Sequence, residues 1–108
     1  MIRLEIFANR SVQEDLLDRL KKGGVASFYT LLPEIHGLGR SGARLGDATW
    51  PEENFQMILH CKKKESRKII EILRLLKSFY PTEGIKVFQS KSRNPLEMES
   101  NIRSSNLE

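Results

Sequence analysis

Few side chains in this sequence could do chemistry: one cysteine, two histidines, and a glycine-arginine stretch with a distant lysine. Nucleophilic catalysis needs a Cys or Ser beside a base that is itself held by an acid. Cys61 directly follows His60, but neighbours on a strand point to opposite faces, so this pair cannot cooperate within one subunit. Cys61 shares its strand face with Phe55, Met57 and Leu59 and reads as a small core residue. His36 stands at the mouth of a long loop, where an imidazole could touch a ligand or titrate near neutral pH. His36, His60 and Cys61 lack the close spacing of a metal site. Neither a catalytic set nor a metal set is expected, and the chain reads as a non-enzyme.

The glycine-arginine stretch is more informative. Gly37-Leu38-Gly39-Arg40-Ser41 opens a connection that runs through Arg44, Asp47 and Trp50 to Pro51, between two strand-like runs. Hairpin strands are normally joined by two to five residues, so a longer Gly-rich connection in a small domain is expected to contact something. Glycines at a strand end expose amides that can point at an anion, and an arginine can pair with one. The full phosphate-cradle patterns, Gly-x-x-x-x-Gly-Lys-Ser/Thr and Gly-x-Gly-x-x-Gly, are absent. Lys86 follows Gly84 where a short loop meets the last strand. Trp50 reads equally as an interface anchor or as packing on its own sheet.

The elements that must position these residues follow from hydropathy. Ile2, Leu4, Ile6 and Ala8 alternate with Arg3, Glu5 and Phe7, which predicts a first strand. Ser11 and Glu14 fit a capping box for a helix carrying Val12, Leu16, Leu17 and Leu20, which Gly23 and Gly24 end. A second strand is expected over Val25 to Ile35, with Pro33 marking an edge or a bulge, and a third over Asn54 to Cys61. A second helix is expected from about Glu65 to Phe79, with Ile69, Ile72, Leu73, Leu76 and Tyr80 on its main face and Ile70, Leu75 and Phe79 widening it. Pro81 ends that helix and a short strand covers Ile85 to Phe88. The order βαββαβ predicts an α+β, ferredoxin-like fold, an antiparallel sheet with two helices on one face. Phe7 and Ile58 fall on the helix-free side, so part of that face is apolar, and burial between subunits would cover it. Residues 1–90 form the expected domain, with the long loop at 36–54; residues 91–108 are polar, with sparse apolar positions, and read as a mobile tail.

Composition narrows the function classes. The 108 residues make one domain, with no apolar run long enough to span a bilayer. Charged residues at the start oppose a signal peptide, and a single cysteine fits a reducing compartment, so a cytoplasmic protein is expected. The net charge is +4, and the excess lies in residues 1–90, with the one dense cluster at Lys62, Lys63, Lys64, Arg67 and Lys68. A solvated helix start explains that cluster. RNA-recognition modules share this strand order but stack bases on aromatics of the third strand, which Phe55-Gln56-Met57-Ile58-Leu59-His60 does not supply, so no nucleic-acid partner is expected.

With these residues in place, the chain resembles the PII-like signalling proteins, most closely their transporter-associated branch. PII proteins carry Gly-Phe-Gly-Arg-Gln at the base of a long T-loop between the second and third strands, where this chain has Gly37-Leu38-Gly39-Arg40-Ser41. They carry Gly-Asp-Gly-Lys-Ile-Phe before the fourth strand, where this chain has the looser Glu83-Gly84-Ile85-Lys86-Val87-Phe88. The likeness covers about the first ninety residues. It implies a cytosolic homotrimer that senses a small-molecule effector in clefts between subunits and acts through the T-loop on a partner such as a membrane transporter. By position it implies ligand binding by Gly37, Gly39, Arg40, Ser41, Gly84 and Lys86, with an adenine nucleotide as the model ligand, and partner contact by Arg44, Asp47 and Trp50. Ser41 replaces the glutamine that helps PII proteins hold magnesium with ATP, so another nucleotide, another small anion or no ligand stays open. No tyrosine lies in the loop to accept uridylylation. The alternatives are a metal-responsive trimer similar to the divalent-cation tolerance proteins, which would use His36, His60 or Cys61, and, less favoured, an RNA-binding ferredoxin-like module.

Overall fold

In the computed structural model, residues 1–35 and 53–97 are described. The elements run β1 (Ile2–Asn9), a 3-10 turn (Arg10–Val12), α1 (Gln13–Lys22), β2 (Thr30–Ile35), β3 (Asn54–Cys61), α2 (Lys63–Phe79) and β4 (Ile85–Lys91). The four strands form one sheet in the order β2-β3-β1-β4, with β1 antiparallel to both of its neighbours and β2 antiparallel to β3. This is the expected α+β, ferredoxin-like arrangement.

The alternation of β1 and β3 decides which face is covered. Leu4, Ile6 and Ala8 of β1 lie with Phe55, Met57, Leu59 and Cys61 of β3 in one buried cluster. Val12, Leu16 and Leu20 from the first helical segment and Ile69, Leu73 and Leu76 from α2 complete it. Successive strand side chains point to opposite faces. Arg3, Glu5 and Phe7 therefore share the helix-free face with Gln56, Ile58 and His60, as the register confirms through the pairs Glu5–Ile58 and Phe7–Gln56.

Four local details differ from the sequence expectation. β2 starts at Thr30 rather than Val25, because the chain first turns left-handed. Gly24 has φ +68° and Ala26 φ +56°, a conformation rare for alanine, and the turn tucks Val25 and Ala26 into the core instead of a ladder. Gly24 completes a Schellman-type end to α1, with Val25 N–H donating to Leu20 O at 3.1 Å and Gly24 N–H to Lys21 O at 3.0 Å. The helix start is not a Ser11–Glu14 box: Asn9 Oδ1 accepts from Ser11 N–H at 2.9 Å and caps the 3-10 turn. Leu75 and Phe79 are exposed rather than buried, although the Arg19 guanidinium covers the Phe79 ring at 4.9 Å. β4 continues to Lys91, three residues past Phe88. Pro33 sits where expected, on an edge strand whose pairing with β3 shifts register between Leu32 and Ile35.

One polar cluster ties the helices together. Asp15 accepts from Arg19 Nε at 2.8 Å and from Tyr80 O–H at 2.9 Å, so a residue of α1 holds the cap of α2. Arg19, then Tyr80, hold the Asp15 carboxyl below its ordinary value of 3.8, and the bond to Asp15 pushes the Tyr80 phenol above its ordinary 10.0. A depressed carboxyl stabilises the fold above the unfolded value and loses that contribution as pH falls through the folded one. Asp15→Asn should therefore lower Tm at neutral pH, and the gap to wild type should close as the pH drops below 3.8; a gap of constant size across that range would show that the charge of Asp15 adds nothing.

Cys61 is the buried thiol of this core. Burial, reinforced by the neighbouring Glu65 carboxylate, pushes its thiol above the ordinary value of 9.0, which suppresses the reactive thiolate. Native protein should react with a thiol reagent far more slowly than the denatured chain, as followed by absorbance. Equal rates would place Cys61 at the surface.

Candidate ligand site at the loop base

The two ends of the long loop are fixed by the sheet. Its entry, Ile35, pairs with its exit, Asn54, and Asn54 pairs in turn with Asn9 at the end of β1. Asn9 N–H donates to Gly84 O at 3.0 Å, which brings the turn before β4 to the same end. Arg10 closes the row: its amide donates to Glu53 O at 2.8 Å, and its Nη1 bonds the Glu53 carboxylate at 2.8 Å. The end of the sheet that anchors the loop therefore also carries the Gly84 turn and, two residues on, Lys86.

Among the expected ligand residues, Gly84 and Lys86 are described and come together at this end. Lys86 is exposed and pairs with Phe7, which places it on the helix-free face. Gly84 is not in the left-handed region, and a Cβ built on it would meet nothing within 4 Å, so space is open above the turn. Gly37, Gly39, Arg40 and Ser41, the expected partner contacts Arg44, Asp47 and Trp50, and His36 all lie outside the described residues. Asn9, Arg10 and Glu53 were missed as parts of this frame. The link from Arg10 to Glu53 spans 43 residues of sequence and leaves no local pattern.

The helix-free face next to Lys86 is mixed. Phe7 and Phe88 meet edge to face, with ring centroids 6.1 Å apart. Phe88 is 59% exposed, and Leu32 on β2 is also exposed. Arg3 pairs with Glu5 at 3.1 Å, and Gln56 Nε2 donates to Glu5 Oε1 at 3.2 Å. The Arg3 Nε is buried and has no partner among the described residues. His60 opens to this face and bonds Ser92 Oγ through Nδ1 at 2.9 Å, on the opposite side of its strand from buried Cys61. Among the described residues, no group of three or more His, Cys, Asp or Glu is close enough to hold a metal ion. None of the described helices is long and apolar enough to cross a membrane.

No protein-family model and no curated protein matches this sequence. Solved structures do. A nitrogen regulatory PII-like protein from Thiomonas intermedia K12, called CPII and bound to ADP, AMP and bicarbonate, superposes with a TM-score of 0.61 at 19% identity, over 86% of this chain and 93% of that one. Its apo form gives a TM-score of 0.58 at 17% identity, over 86% and 92%. A candidate PII-like signaling protein from Thermus thermophilus gives 0.57 at 19% identity, over 82% and 83%. At this identity the likeness speaks for the backbone, and the sheet order and strand register above agree with it. This chain has the PII-like fold.

Proposed function

We propose that this chain is a non-enzymatic, PII-like signalling protein that works as a homotrimer. It senses a small ligand in clefts between subunits and acts through its long loop on a partner protein such as a membrane transporter. The observation that carries this reading is the convergence at one end of the sheet: the loop's two ends, the Gly84 turn and Lys86 are tied together through Asn9, Arg10 and Glu53. A ligand bound there would touch both the cation and the base of the loop, so its binding free energy could bias the loop between arrangements. The adjoining face, with Phe7, Phe88, Ile58 and Leu32, is what a second and third copy would cover.

Gly37, Gly39, Arg40 and Ser41 complete the ligand set in this proposal, and Arg44, Asp47 and Trp50 form the partner contact. CPII, with the same fold, was solved with ADP, AMP and bicarbonate, which makes adenine nucleotides and small anions the first ligands to test. Nothing in the proposal requires a metal. The proposed working compartment is the cytoplasm.

A ligand that binds only folded protein raises Tm, by about 2.7 kcal/mol of added stability at a hundredfold excess over Kd. ADP, AMP, ATP and bicarbonate should be screened singly and in pairs by thermal shift. At least one should raise Tm by several degrees, and Lys86→Ala should abolish that gain while leaving the ligand-free Tm near wild type. No gain from any of them, or an undiminished gain in the variant, would remove the site.

A further inference from the structure

The end of the sheet opposite the loop carries an unbalanced charge. Lys62, Lys63, Lys64, Arg67 and Lys68 are exposed at the start of α2. Strand register adds Lys91, because Ile2 pairs with both Cys61 and Lys91, and Arg93 follows two residues later. Ser92 N–H donates to Met1 O at 2.9 Å, so this segment is fastened beside the start of β1. None of these cations forms an ion pair among the described residues. Five cations elsewhere do: Arg3 with Glu5, Arg10 with Glu53, Arg19 with Asp15, Lys22 with Asp18, and Arg74 with Glu71; Lys21, Lys77 and Lys86 do not, but they are scattered rather than clustered. The one acid of the α2 start, Glu65, interacts with Cys61. Lysines at a helix N-terminus oppose its macrodipole, so the arrangement costs stability and gains nothing within the fold.

Exposed apolar side chains share this end. Leu96, in the helical residues 95–97 that follow Arg93, is 74% exposed, and Phe28, two residues before β2, is 88% exposed. We propose that this pole docks on a membrane surface rich in anionic phospholipid headgroups. Lysine, the majority here, acts as a flexible point charge rather than a planar fork for base or phosphate recognition. A cluster of this size attracts anionic headgroups through a field that decays within a Debye length, and neighbouring apolar side chains can enter the headgroup region. A nucleic-acid track stacks successive bases on aromatics set along its cations; the exposed aromatics of this pole, Phe28 and Tyr29, are sequence neighbours just before β2, and none lies in the lysine-rich start of α2. A domain held by this pole turns its loop base away from the bilayer, so this docking competes with any loop-first contact to a membrane protein. The proposal does not depend on the ligand or the oligomeric state.

The test is co-sedimentation of the full chain with phosphatidylcholine vesicles, with and without about 30 mol% phosphatidylglycerol, at about 0.1 M salt. Binding should require the anionic lipid and should fall as salt is raised. Two double variants remove equal charge from the same helix: Lys63→Gln with Lys64→Gln at the pole, and Arg74→Gln with Lys77→Gln at the far end. The first should weaken partitioning about 30-fold and the second by less than about twofold, while Gln at Lys62, Lys63, Lys64 and Lys68 together should weaken it on the order of 1,000-fold. Equal binding to neutral vesicles, equal losses in the two double variants, or capture by an RNA oligonucleotide without any vesicle binding would overturn the proposal.

Discussion

One-sided burial of the central strand governs this molecule. β1 pairs on both edges, so its backbone polar groups are consumed by β3 and β4 and its side chains must divide strictly between two faces. Leu4 and Ile6 are wholly buried under the helices. Both α1 and α2 cover that side, and among the described residues no helix covers the other. Phe7 and its partner Phe88 therefore lie on a sheet surface left open by the described residues, beside a polar strip of Arg3, Glu5 and Gln56. A one-residue slip would exchange the faces, so the register that builds the core also fixes Phe7 and Phe88 on the opposite face. In the proposed trimer, a second copy of the chain would cover that surface at no cost to the register.

The strand ends divide the chemistry as the strand faces divide the packing. At one end, the hydrogen bond from Asn9 to Gly84 and the ion pair from Arg10 to Glu53 close a frame around the loop base, with Lys86 beside it. The other end gathers cations without partners among the described residues. Between them, the Asp15–Arg19–Tyr80 cluster locks α1 to the cap of α2 on the helical side. The core, the loop frame and the charged pole are thus built from separate residues. Substitutions at the pole or at Lys86 change exposed groups and leave the packing of Leu16, Phe55 or Ile69 alone.

What the sequence revealed follows from interaction range. The period-two alternation of β1 and β3 and the apolar spacing of α2 are local, and they predicted the sheet, the helices and the helix-free side. Pro33 announced an edge or a bulge, and β2 is an edge strand whose register shifts there. The start of β2 was hidden because Ala26 takes a left-handed conformation that its identity does not advertise. The Ser11–Glu14 pattern fitted a capping box, yet Asn9 reached the Ser11 amide first and wound a 3-10 turn ahead of α1. Gly84 and Lys86 were legible by their place before and within the last strand. Arg10 and Glu53 were not, since each is an ordinary surface charge until the fold joins them. The basic run at Lys62–Lys68 stood out in sequence as a solvated helix start; its extension by Lys91 and Arg93 needed the strand register.

The central claim is that the exposed face carrying Phe7 and Phe88 is a seam between copies of this chain. Sedimentation equilibrium at micromolar concentration tests it most directly. The account predicts a species of three times the chain mass, reduced to one chain by Phe88→Glu, which sets a charge into that seam without touching the core. A wild-type monomer, or a trimer indifferent to that substitution, would contradict it.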